Sequence, residues 1–168
     1  MNRTLIICKP DAVERNLVGE ILRRFEAKGL SLVAAELRTV DVATSRQHYA
    51  EHVDKPFYGE LEEFITRGPS LLGVLEGTDD TWSMVRSMMG ATNPAEAAPG
   101  TIRGDLATLF TENLIHGSDS AESAEREIAL GKRLRERRAR EVGGELRPRV
   151  GVGGDNVAAD LGHEHGSH

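Results

Sequence analysis

The segment Asn113-Leu114-Ile115-His116-Gly117-Ser118-Asp119 puts one imidazole where it could do chemistry. Leu114 and Ile115 read as the last residues of a buried strand. Ser118, Asp119 and Ser120 are all N-cap types, and a helical pattern follows from Glu122 to Leu130. A histidine at such a strand-to-helix junction sits on a rigid edge, where nearby backbone N–H groups attract an anion. Imidazole also accepts a phosphoryl group near neutral pH when a third group fixes its tautomer. The same seven residues also describe an ordinary half-buried loop histidine, so the rest of the chain has to decide.

Delivery of a phosphate to His116 requires cations held on the scaffold, with hydroxyls and backbone N–H groups filling the remaining acceptors. Lys9 ends the first apolar run, directly before Pro10. Arg86 lies on a helix that Gly90 closes, with Thr92 just beyond. Arg103 falls within Gly100-Thr101-Ile102-Arg103-Gly104-Asp105, between glycines that permit close backbone approach. Each is an ordinary surface charge taken alone; gathered at element ends they form a cradle. Glu127, on the following helix, is the candidate partner for the second ring nitrogen of His116, and it also fits a solvated helix carboxylate. Tyr49 could donate a phenolic hydrogen bond or simply pack. There is no Gly-x-x-x-x-Gly-Lys-Ser/Thr phosphate loop. No Cys/His metal spacing appears in the body, so no metal-ligating residues are assigned. A divalent ion would have to arrive with substrate phosphates, which suits Mg²⁺.

The elements that must position these groups follow from periodicity. Thr4 to Lys9 reads as a strand, Asp11 as a helix start, and Leu17, Val18, Ile21, Leu22 and Phe25 as one helical face closed by Gly29. Leu30 to Val40 reads as a second strand, Thr44 to Glu51 and Glu60 to Thr66 as short helices, and Leu71 to Leu75 as a third strand. Thr81 to Met89 is a helix closed by Gly90. Ala91 to Thr101 carries no assignable element, a fourth strand ends at Ile115, and the last helix runs to about Leu130. The order is βαββαβ with insertions. It predicts an α/β (α+β) sandwich, ferredoxin-like, with a four-stranded antiparallel sheet covered by helices.

Composition narrows the class. The chain has 168 residues, 39% hydrophobic and 29% charged, with one cysteine, Cys8, which rules out an intramolecular disulfide. Its longest early apolar run, Leu5-Ile6-Ile7-Cys8, is too short for a membrane span, so no membrane partner and a cytoplasmic location are expected. The net charge of −6 is uneven: residues 1–130 carry −8, residues 131–149 carry +5 and residues 150–168 carry −3. An acidic body exerts no long-range attraction on nucleic acid. Residues 1–130 are expected to form one domain. Residues 131–168 are expected to be an Arg/Gly-rich extension that continues the last helix and then becomes disordered.

Residues 3–130 resemble nucleoside diphosphate kinases. The matching pieces are Lys9-Pro10-Asp11-Ala12-Val13, His48-Tyr49, Lys55-Pro56-Phe57-Tyr58, Gly90-Ala91-Thr92-Asn93-Pro94, Pro99-Gly100-Thr101-Ile102-Arg103-Gly104-Asp105 and the heptad around His116. The resemblance implies a homo-oligomer, a hexamer ahead of a tetramer. It implies ping-pong transfer of the γ-phosphate of ATP or another nucleoside triphosphate to a nucleoside diphosphate through a phosphohistidine, with Mg²⁺, maintaining the nucleotide pools. On that pattern His116 is the nucleophile, Glu127 and Ser118 orient it, and Tyr49 stands beside it. Lys9, Arg86, Thr92 and Arg103 hold the phosphates. Phe57 stacks on the base with Leu61 nearby, and Asn113 with Lys9 meets the sugar hydroxyls.

The chain departs from that pattern at two places. Thr111-Glu112, preceded by Phe110, stands where the family usually has Gly-Arg, and an inward-facing Glu112 would weaken anion binding. Gly131-Lys132 replaces the bulky aromatics that usually follow the last helix. A different class of function remains open: nucleotide or nucleic-acid binding through Lys132, Arg133, Arg135, Arg137, Arg138 and Arg140. That segment lacks the aromatics that stack on single-stranded bases.

Overall fold

The apolar run that follows Arg3 becomes the centre of the molecule. In the computed structural model, which describes residues 2–50 and 53–141, Arg3–Cys8 forms β1, and all of it but Arg3 is buried. Such a continuous run is what a strand covered on both faces needs. Ile6 and Cys8 point into a core with Ile21, Phe25, Val85 and Met89. Leu5 and Ile7 face the other way, toward Tyr49, Ile65 and Leu130. Strands β2 (Ser31–Thr39), β3 (Pro69–Glu76) and β4 (Ile115–Gly117) complete one sheet in the order β2-β3-β1-β4, antiparallel throughout. The fold is the expected α+β sandwich.

The helices are α1 (Pro10–Glu14), α2 (Val18–Ala27), α3 (Val42–His48), α4 (Tyr58–Thr66), α5 (Thr81–Met89), α6 (Ile102–Leu106) and α7 (Ala121–Glu141). Helix α5 has the predicted bounds, and Gly90 follows it at φ +83°, where an added Cβ would run into Thr101. Complete burial of a side chain such as Phe25 contributes about 1.5–3 kcal/mol to holding α2 on the sheet. The Cys8 thiol lies in this core, its pKa pushed up to about 12 by burial and then by Asp11, and is inert at neutral pH.

Three features differ from the sequence reading. The helix expected after Asp11 is split in two, because Asn16 adopts φ +57° between α1 and α2. The unassigned stretch before Arg103 contains a 3₁₀ turn at Pro94–Glu96, where the Asn93 side chain accepts from the Ala95 amide. Thr101 then caps α6 through the Gly104 amide. Strand β4 begins where the fourth strand was expected to end: His116 lies inside it, opposite Ile7, rather than at its exit. Helix α7 spans Ala121–Glu141, the last helix running on past Leu130 into the extension. The disorder expected further on concerns residues 142–168, outside the described residues.

Candidate active site

Leu114 is buried at φ +73°, and the Ile115 amide donates to the Asn113 carbonyl at 2.9 Å. This is the rare γ-turn, a strained conformation that persists only when its surroundings over-determine it. The surroundings do so here. Asp11 Oδ2 accepts from the Leu114 amide at 3.0 Å, and the Lys9 amide donates to the Leu114 carbonyl at 2.8 Å. The Arg103 guanidinium, itself only 3% exposed, donates to three main-chain carbonyls: Asn113 at 3.2 Å, Gly90 at 3.1 Å and Ile115 at 2.5 Å. Three groups, two near Lys9–Asp11 and one on α6, thus hold the turn that leads into His116.

The imidazole is fixed from α7. His116 Nε2 lies 3.3 Å from Glu127 Oε2, and the same oxygen accepts from Ser118 Oγ at 2.8 Å. Ser118 is fully buried, and its hydroxyl also accepts from the Leu5 amide at 3.4 Å. A carboxylate at Nε2 favours the tautomer that carries its proton there, which leaves the lone pair on Nδ1 for attack. Asp119 nearby is held below the usual carboxylate range, first by its hydrogen bond with Ser123, and Arg86 and His116 add to the effect.

Lys9 is buried and donates to Asn113 Oδ1 at 2.7 Å, and Asn113 Nδ2 donates in turn to the Thr92 carbonyl at 2.9 Å. Burial, and then the charge of Arg103, bring the Lys9 ammonium down to about 8. Arg103 falls to about 10 through burial and the proximity of Arg86. Arg86 reaches the Gly117 carbonyl at 3.5 Å. Three cations crowded so closely that burial and mutual repulsion lower Lys9 and Arg103, in spite of Asp11 beside Lys9, form a site that an anion would relieve.

Two clefts open onto these groups. One, of about 450 Å³, is lined by Lys9, Tyr49, Phe57, Leu61, Thr92 and Asn113, together with Glu60, Phe64, Phe110 and Thr111. The other, of about 400 Å³, is lined by Tyr49, Arg86, His116 and Glu127, together with Gln47, Asp119, Ser123 and Arg126. Tyr49 borders both, and its phenol is pushed up by burial and then by Glu127, so it keeps its proton. The structure therefore gathers nine of the eleven residues singled out from sequence around two clefts that meet at Tyr49. Ser118 stands behind Glu127, and Arg103 stands behind the turn. Phe64 was missed, although it shares with Phe57 and Leu61 a spacing of four and then three that marks one helical face. Arg126 was also missed, and no motif pointed to it. Glu112 lines neither cleft: it pairs with Arg67 at 2.7 Å, so the condition under which it would weaken anion binding, an inward-facing side chain, is not met.

A protein-family model described as nucleoside diphosphate kinase matches residues 2–133. The chain belongs to the nucleoside diphosphate kinase family. It is similar to the nucleoside diphosphate kinase of Nocardioides sp. (strain ATCC BAA-499 / JS614), 59% identical over 128 residues that cover 76% of this chain and 94% of the relative. The nucleoside diphosphate kinase of Mycobacterium tuberculosis (strain ATCC 25177 / H37Ra) is 57% identical over 129 residues, with the same coverage of 76% and 94%. Among solved structures, a halophilic nucleoside diphosphate kinase from Halobacterium salinarum in complex with CDP superposes with a TM-score of 0.74 at 48% identity, covering 77% of this chain and 87% of that one. A nucleoside diphosphate kinase family protein from Babesia bovis gives the same TM-score of 0.74, identity of 48% and coverage. The family match ends inside α7, shortly after Gly131 and Lys132.

Proposed function

We propose that His116 carries the γ-phosphate of a nucleoside triphosphate to a nucleoside diphosphate, the activity of the kinase family to which the chain belongs. The observation that carries this reading is the Ser118–Glu127–His116 relay, which holds the imidazole at the edge of a cleft shared with Arg86. Nδ1 attacks the γ-phosphorus while the bond to the bridging oxygen breaks, and that electron pair leaves with the nucleoside diphosphate. Glu127 balances the positive charge of the phosphorylated ring. The second half-reaction reverses these steps with another diphosphate as acceptor. Tyr49 borders the transfer path. Phe57 and Leu61 receive the base, and Asn113 with Lys9 meets the sugar hydroxyls. Lys9, Arg86 and Thr92 receive the phosphates through charge-assisted hydrogen bonds, each contributing about 1.5–3 kcal/mol, while Arg103, its guanidinium engaged with three carbonyls, adds its charge from behind the Leu114 turn. The test is a pair of half-reactions: ATP alone leaves acid-labile phosphate on the protein, and added diphosphate removes it. No label on the protein would sink the reading.

Among the described residues no group of three or more His, Cys, Asp or Glu could hold a metal. The fit is to Mg²⁺ carried on the nucleotide phosphates, where it would neutralise charge, with ionised Asp119 lining the same cleft. Burial makes Lys9 a pH-sensitive grip. Between about 8 and its ordinary 10.5 the unfolded chain binds more protons at this site than the folded one. Through that window the residue's contribution to folding stability therefore rises with pH, while its hold on an anion falls. ADP affinity is expected to drop as pH rises through about 8, and affinity that stays flat from about 7 to 9 would count against Lys9 as a phosphate ligand.

The chain is assigned a homo-oligomeric state, a hexamer ahead of a tetramer, and a cytoplasmic location. Edge strand β2 supports the assembly: it pairs on one side only with β3, and Val33 and Leu37 are 43% and 60% exposed along it. Light scattering that returns a monomer at micromolar concentration would refute the oligomer. No described helix is long and apolar enough to cross a membrane.

A further inference from the structure

Glu112 stands where the family pattern has an arginine, and its partner Arg67 caps the C-terminus of α4. Arg67 Nη1 donates to Glu112 Oε1 at 2.7 Å, while Nε and Nη2 donate to the two carboxylate oxygens of Glu14 at 3.0 and 2.8 Å. The guanidinium carbon also lies 4.7 Å from the centroid of the Phe64 ring. One planar cation therefore joins the end of α1, the end of α4 and the segment 107–114, which has no helix or regular strand of its own. An isolated exposed ion pair contributes little. Here one carboxylate is gripped by a two-pronged fork, a second is held by the remaining arm, and an aromatic face supports the plane, the arrangement for which arginine is suited.

The position of this clamp matters. Phe64 lines the cleft assigned to the nucleotide, and so do Phe110, Thr111 and Asn113, the residues that flank Glu112 in sequence. Glu112 itself is turned away from the cleft to Arg67. The carboxylate thus ties the back of the very segment whose front forms the cleft wall. The two carboxylates also push the Arg67 guanidinium further up, Glu14 first, so its charge is permanent.

We propose that Arg67, held by Glu14 and Glu112, is a positioning residue that sets the wall of the nucleotide cleft and with it the affinity for nucleotide. The inference rests on the reading of that cleft as the nucleotide site. It is tested by ADP titration calorimetry and steady-state kinetics on the full chain. Arg67→Gln and Glu112→Gln are each expected to weaken ADP binding about threefold to fivefold, with the loss appearing in Kd and KM rather than in kcat. The double variant should bind no more weakly than the worse single one, because either change releases the same clamp. Glu76→Gln breaks an exposed ion pair with Arg3 at the opposite end of β1, and should bind ADP as the wild type does. Wild-type affinity in both clamp variants, or losses that simply add in the double variant, would overturn the proposal. Phe57→Ala separates the two readings. If it leaves ADP affinity intact, the cleft is not the nucleotide site and both readings fall. If it weakens ADP binding while the clamp variants do not, only the clamp falls.

Discussion

Incubated with γ-labelled ATP, the His116→Ala variant carries no acid-labile phosphate, and transfer to a diphosphate falls by at least about 10⁴-fold relative to wild type. The size of the effect follows from the chemistry. Alanine removes the group placed to form the covalent intermediate, while the phosphate and base contacts remain and retain nucleotide binding. ADP affinity within about twofold of wild type is therefore expected alongside the lost activity, because His116 contributes a bond made during reaction rather than ground-state binding. Label that persists on the alanine variant would move the nucleophile to another residue. The folded state should survive, since His116 is partly exposed at the cleft and none of the described ties on the Leu114 turn passes through its ring.

Arg103→Ala is expected to act through the fold as well as the site. Its side chain donates to the carbonyls of Gly90 and Ile115 and adds a second bond to that of Asn113, which also accepts from the Ile115 amide; each buried carbonyl left without a donor costs about 1–3 kcal/mol, and the lost third bond adds to this. Water reaching part of the gap reduces the sum, so urea unfolding should show a loss of about 3–5 kcal/mol. That is a large share of the usual total of about 5–15 kcal/mol. Arg103→Lys should rescue little, because an ammonium cannot span three carbonyls in a fixed fork. The released γ-turn at Leu114 also frees β4, so phosphohistidine formation should slow even in the fraction that stays folded. Stability within about 1 kcal/mol of wild type would show that the three bonds do not hold the turn.

The sheet and most helices were legible because their signals are local. Helix α5 was read at its observed bounds, since its apolar face and the closing Gly90 lie within ten residues. Strand β1 is legible from the consecutive apolar residues Leu5-Ile6-Ile7-Cys8 and the Pro10 that follows, and the structure buries all four. The placement of β4 was not, because its extent depends on pairing: Ile115 to Gly117 are strand only because β1 lies alongside, with Ile7 opposite His116. Asn16 broke the first helix without any proline or glycine to announce it, through a left-handed residue that asparagine tolerates. The fate of Glu112 was also hidden. Its sequence neighbours placed it near a phosphate site, and only the fold brought Arg67, 45 positions away in the chain, to its carboxylate.

By itself the sequence determined which groups this protein has available: an imidazole before a helix, a carboxylate on that helix, cations at element ends and an aromatic for a base. It also determined the elements that carry them, because apolar periodicity and capping chemistry act within a few residues. The tertiary structure alone decided what those groups do to one another. It set Glu127 on Nε2 of His116, spent Arg103 on three carbonyls, lowered Lys9 by burial and turned Glu112 outward. Each of these depends on distance and on exclusion of water, and both arise only when residues far apart in the chain are packed together.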